Sequence, residues 1–156
     1  RIFERATGKY LLQLDDDAYG IPNWNDISVP YFSPDIFAVG QHGKWVRPEW
    51  HGFDYGWPKV GDYVDFLTGF CTLFSNIDYK MLMFPEDWEF WSEEAWYCLN
   101  VKRLTGLRIR IIPPFICHEA IPHPVDWDLG ARSFNRVVEK FKPLQSELHL
   151  EEARLV

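Results

Sequence analysis

Short apolar runs of strand length recur along this chain, and the first of them, KYLLQLD, ends abruptly in three aspartates, Asp15, Asp16 and Asp17. Residues 1–7 read as the end of a helix that Gly8 breaks, so the run that follows is a strand with the acids at its carboxyl end. The segment from Trp24 to about Phe32 predicts a short helix stopped by Ser33-Pro34, and Ile36 to Gln41 predicts a second buried strand. Residues 42–62 mix Gly, Pro and aromatic side chains with no period, the pattern of a long irregular loop.

Further on, YVDFLTGFCTLFSN predicts two β-type runs pivoting on Thr68-Gly69, and Asn76 to Met83 a helical turn. Ser92 stands as an N-cap before Glu93 and Glu94 in a first turn. Lys102 and Arg103 come late and Gly106 supplies a stop, so a helix is expected between. LRIRII alternates as a strand from Leu107 to Ile112 until Pro113-Pro114 halts it, and FIC then leads into His118-Glu119. From about Gly130 a last helix, ARSFNRVVEKF, is expected to end near Pro143, with a charged tail over 146–156 that is helical or frayed. Strand, helix and strand in succession predict one α/β domain with no internal repeat.

Composition narrows the choice of partner. The 156 residues carry a formal net charge of -7, which leaves no surplus of cations to neutralise a phosphate backbone and argues against nucleic acid. That acidity suits a divalent cation. Eight Trp, seven Tyr and twelve Phe exceed what so small a core takes, so some rings are expected to line a surface. Cys71, Cys98 and Cys117 lie in apolar stretches, odd in number and without CxxC spacing, and read as buried thiols of a cytoplasmic protein. No run approaches the roughly 18–20 apolar residues of a membrane span. The opening RIFERATGKY reads like a helix entered midway, which predicts a longer parent protein.

Three adjacent aspartates repel one another and raise one another's pKa unless a cation is present. Mg2+ and Mn2+ prefer carboxylate oxygens and commonly share their coordination with substrate phosphates. A solvated acidic turn is the plainer alternative, and the apolar strand directly before the acids weighs against it. At the carboxyl edge of an open α/β sheet, this is also where ligands bind.

The stretch ATGKYLLQLDDDA resembles the segment of GT-A fold glycosyltransferases that carries their DxD motif. The resemblance implies a mixed sheet flanked by helices, lacking the first nucleotide-binding strands, over 1–145. It implies that Asp15 contacts the donor ribose and Asp17 holds Mn2+ or Mg2+ on the diphosphate, with Asp16 as neighbour or substitute. VDFLTGFCTLFS resembles the family's glycine-containing segment beside the donor sugar, with Gly69 as the match and Thr68 and Asp65 beside it; a simple bulge at Gly69 is the other reading. FWSEEAWYCLNVKRLTGLRIRIIP resembles the helix whose start carries an acidic pair. Glu93-Glu94 fills that place, which would make Glu94 the general base of an inverting transfer, although Glu replaces the family's usual Asp in the second position. Glu86-Asp87 is a rival, and favourable placement of acids at a helix start explains the pair without catalysis. His118 matches a late histidine that completes metal coordination, with His123 nearby.

Trp45, Trp50, Tyr55 and Trp57 share one loop and suit the faces of acceptor sugar rings, unless they fold into a minicore of their own. The resemblance therefore implies a nucleotide-sugar donor, a carbohydrate or glycolipid acceptor, and a nucleotide-binding half preceding Arg1 or supplied by a partner chain. A non-catalytic carbohydrate-binding module or degenerate transferase is the competing expectation.

Overall fold

The computed structural model describes residues 3–15, 17–47, 49–50, 58–68, 71–88, 92–118 and 127–151, with Glu4, His118 and Trp127 described in backbone only. The fold is mixed α/β. In chain order the elements are β1 (Leu11–Leu14), β2 (Ala18–Gly20), α1 (Trp24–Ser28), β3 (Ile36–Gly40), β4 (Gly43–Lys44), β5 (Tyr63–Val64), β6 (Phe66–Leu67), β7 (Cys71–Phe74), α2 (Glu93–Thr105), β8 (Arg108–Ile111), β9 (Ile116–His118) and α3 (Trp127–Phe141). Short 3-10 turns cover Phe3–Arg5, Val29–Tyr31, Tyr79–Leu82 and Lys142–Glu147. Among the described residues no helix is long and apolar enough to cross a membrane.

Among the described residues five strands form the main sheet in the order β1-β7-β3-β8-β5, and β2-β9 and β4-β6 form two further two-stranded pairs. β7 runs antiparallel to both β1 and β3, and β3 runs parallel to β8. It follows that β1, β3 and β8 point the same way and that their carboxyl ends share one edge. The aspartates follow β1 at that edge.

Alternation along the strands divides the apolar residues between two faces. Phe74, Ile109 and Ile111 join a core with Tyr97, Leu99 and Val101 of α2 and with Val137 and Phe141 of α3. On the opposite face Val39, Cys71 and Leu73 meet Ile112, Phe115 and Ile116, covered by Trp24, Ile27 and Tyr31 of the α1 region. β8 shows the rule cleanly: its two isoleucines are buried while Arg108 and Arg110 turn outward, where the Arg108 guanidinium stacks 3.3 Å from the centre of the Tyr63 ring.

α2 lies where the acid-first, base-last pattern places it, but its start differs from expectation. Ser92 does precede the helix, yet it has φ 61° and its side chain makes no cap hydrogen bond. The helix ends on Gly106 at φ 70°, whose N–H donates to the Lys102 carbonyl at 2.8 Å, the left-handed cap that glycine accepts most readily. α3 begins earlier than Gly130, at Trp127.

Part of the expected irregular loop is ordered into the β4-β6 pair. A side chain at Gly43 would bring its Cβ within 2.8 Å of the Phe66 carbonyl, so only glycine fits there without displacement. Residues 51–57 lie outside the described residues. The start of the expected tail is also built in: Leu148 is buried and Glu151 joins a charge network at the core.

That network centres on Asp65 and Lys102, both fully buried. The Lys102 ammonium lies 3.4 Å from Asp65 and 3.4 Å from Glu151, and the Glu151 carboxylate also receives the Arg108 guanidinium at 2.7 Å. Asp65 accepts from the backbone N–H groups of Val46 at 2.7 Å and Glu151 at 2.8 Å. Burial pushes the Asp65 carboxyl up despite Lys102, whereas Glu151, against Arg108, is held down. One lysine thereby joins α2, the β4-β6 region and the C-terminal segment. Lys102→Met should cost about 3 kcal/mol or more, because it leaves Asp65 buried beside no cation. Urea unfolding checks this; a loss under about 0.5 kcal/mol would show that the network contributes nothing.

Candidate functional site

The site is built from the carboxyl edge outward. β1 ends at Leu14, and the Ala18 N–H donates to the Asp15 carbonyl at 3.2 Å, closing a tight turn that starts at Asp15 and includes Asp17. The chain returns as β2, which pairs antiparallel with β9 in the register Ala18↔His118, Tyr19↔Cys117 and Gly20↔Ile116. Directly opposed residues in such a ladder have Cα atoms about 4.5–5.5 Å apart. His118 is thus set across from the residue that follows Asp17.

α2 approaches from the other side. Tyr97, about one turn beyond the Glu93-Glu94 pair, donates its hydroxyl to Gln13 of β1 at 3.0 Å, and this ties the helix start to the strand that delivers the aspartates. Burial, joined by the negative charges of Glu93 and Asp15, pushes the Glu94 carboxyl up to about 8. Asp15 likewise adds to the burial that raises the Cys71 thiol to about 12, as its position after the Leu14↔Cys71 pair requires. Asp15 and Glu94, far apart in the sequence, therefore act on one another electrostatically.

α3 steadies the segment ahead of α2. Arg136 reaches the Asp87 carboxylate at 3.1 Å and its carbonyl at 2.9 Å, and its guanidinium lies 4.8 Å from the centre of the Trp88 ring. Trp96 packs against Trp88 at 4.7 Å and against Phe141 at 5.3 Å. Asp87, the rival base, is thus engaged with Arg136.

Other expected site residues fall elsewhere. Asp65 is a core ion-pair partner and is not exposed beside a donor. Trp45 and Trp50 are 4% and 3% exposed, and their indole N–H groups donate inward, to the Tyr63 carbonyl and the Gln145 side chain, both at 2.9 Å. Indoles buried for their area and satisfied in their polar atom offer no face to an acceptor sugar. Thr68 is partly buried and its N–H donates to the His42 carbonyl at 3.1 Å. Asp16, Tyr55, Trp57, Gly69 and His123 lie outside the described residues.

Three contributors were missed by sequence reasoning. Gln13 and Gln41 sit as ordinary polar residues at strand positions, and nothing in the pattern marked them. Tyr19, 58% exposed and two residues after Asp17, is a large aromatic free of the core; its place in a short polar connection concealed it.

The edge brings carboxylates on one turn together with the backbone of His118 opposite, beside a Glu94 whose carboxyl is raised first by burial and then by neighbouring negative charge, and carboxylate oxygens are the donors a hard divalent cation prefers. Among the described residues alone no three His, Cys, Asp or Glu side chains form a group that would hold a metal ion; the side chains of Asp16 and His118 are outside that set. Compared with models of known protein families and with curated proteins, the chain gives no match.

The raised Glu94 pKa has a thermodynamic signature. The folded state holds a proton between about 4.5 and 8 that the unfolded state has lost, so Glu94 lowers stability as pH rises through that window, and the penalty is complete above it. Glu94→Gln should raise Tm at pH 8.5 by on the order of 5 °C, an advantage that narrows toward pH 5. Thermal unfolding of both proteins across this range checks it; parallel curves would mean that Glu94 titrates normally.

Proposed function

We propose that this chain is the metal-binding and acceptor-side part of a GT-A glycosyltransferase that moves a sugar from a nucleotide-sugar donor to an acceptor hydroxyl. The observation that carries the reading is the ladder setting His118 across from Ala18, beside the aspartate turn, with Glu94 inside the field of Asp15. A solvated acidic turn has no reason to meet a histidine strand on one side and a proton-holding glutamate on the other.

In this reading Asp17, Asp15 and His118 hold Mn2+ or Mg2+, and Asp15 also meets the donor ribose. The ion, when bound, neutralises charge on the departing nucleoside diphosphate. Glu94 accepts the proton of the acceptor hydroxyl as its oxygen bonds to the anomeric carbon and the bond to the diphosphate breaks, with inversion. As a carboxylate it serves as base; protonated, it does not. Offsetting the charge of Asp15 therefore favours the active form of Glu94.

The competing carbohydrate-binding reading drew in part on the aromatic loop, and the inward-turned Trp45 and Trp50 remove two of its rings. The test is release of nucleoside diphosphate from a panel of nucleotide sugars in the presence of Mn2+. Asp17→Ala should abolish it, and Glu94→Gln should lower kcat by about 10²–10⁴ with little change in KM. Turnover that survives both EDTA and Asp17→Ala would refute the assignment.

A further inference from the structure

We infer that Gln41 is a positioning residue that sets where His118 meets the aspartate turn, an inference that rests on the metal reading above. Gln41 directly follows β3, at the carboxyl edge. Its side-chain oxygen accepts two consecutive backbone N–H groups, from Phe115 at 2.7 Å and from Ile116 at 2.6 Å.

Both amides thus take a side-chain oxygen as acceptor in place of a neighbouring strand. The chain leaving β8 stays on β3 through Ile112, whose N–H donates to the Gly40 carbonyl at 2.9 Å. Pro113 and Pro114 follow, with no N–H to continue the ladder. Phe115 and Ile116 are buried, at 0% and 4% exposure, so their N–H groups need a protein acceptor. The Gln41 oxygen supplies it and so fixes the entry to β9. From there the Phe115 carbonyl receives the Ile21 N–H at 3.2 Å, and Ile116, Cys117 and His118 pair with Gly20, Tyr19 and Ala18.

Register in a three-residue ladder is weakly determined by the ladder itself, and a slip by one residue moves His118 off Ala18 and reverses the face it occupies. Gln41 anchors the register from outside the ladder. It touches none of the reacting groups; it acts through the backbone that carries the histidine.

The experiment measures Mn2+ affinity directly, by electron paramagnetic resonance of the free ion, together with amide hydrogen exchange on the metal-free protein. Gln41→Leu should weaken Mn2+ binding about 10–100-fold, the range found when groups supporting metal ligands are removed. The Phe115 and Ile116 amides should lose protection while Ala38 and Leu73 in the central strands keep theirs. Gln41→Glu, which retains an acceptor oxygen at the same reach, should restore affinity to within about threefold of the parent. Undiminished affinity in Gln41→Leu overturns the role. Should that variant lose protection in β3 and β7 as well, Gln41→Asn, with its oxygen drawn back by one methylene, replaces it, and full affinity there overturns the role equally. Absence of Mn2+ binding by the parent protein overturns the metal reading itself, and this inference with it.

Discussion

Everything at the carboxyl edge depends on one short pairing, the three-residue ladder between β2 and β9. It closes the gap between two parts of the chain that the sequence keeps far apart, and it does so beside a turn crowded with carboxylates. A ladder of this length is marginal alone, so its register must be held by its surroundings. The turn after β1 holds one end, and Gln41, at the end of β3, holds the other through two amide hydrogen bonds.

The main sheet supplies the rigid reference. β1, β3 and β8 end together, and α2 is bound to the same frame at both of its ends: Tyr97 to Gln13 near its start, and Lys102 to Asp65 and Glu151 toward its finish. The ion pairs at Lys102 are remote from the acidic turn, and their part is to fix the helix whose first turn presents Glu93 and Glu94. Stability and the proposed chemistry pull in opposite directions at that first turn. Burying Glu94 near two other acids destabilises the fold at neutral and basic pH, a cost that a purely structural helix start would avoid.

Much of the fold was legible because it rests on local pattern. LLQL, IFAVG and RIRI read as strands from apolar runs or alternation, and the acid-to-base gradient with Gly106 marked α2 closely. What stayed hidden was set by tertiary contact. Trp45 and Trp50 look like a sugar platform in an irregular stretch, yet the area of an indole makes burial favourable wherever the fold offers an acceptor for its N–H, here Tyr63 and Gln145. Asp65 looks like a ligand-facing polar group until Lys102 arrives from a helix far along the chain. Gln13 and Gln41 were invisible for the same reason: their roles lie in partners that no local period encodes. At the site itself, the order of the acidic turn, the glutamate pair and the histidine was readable, while the ladder that joins the first and last of these was not.

The central claim is that the aspartate turn, the start of α2 and the strand ending at His118 converge on one divalent ion. Paramagnetic broadening of backbone amide resonances on addition of sub-stoichiometric Mn2+ tests it most directly. The account predicts that the amides of Asp15, Asp17, Ala18, Glu94 and His118 broaden together and recover together with EDTA. Broadening confined to the aspartate turn, with His118 and Glu94 unaffected, would contradict it.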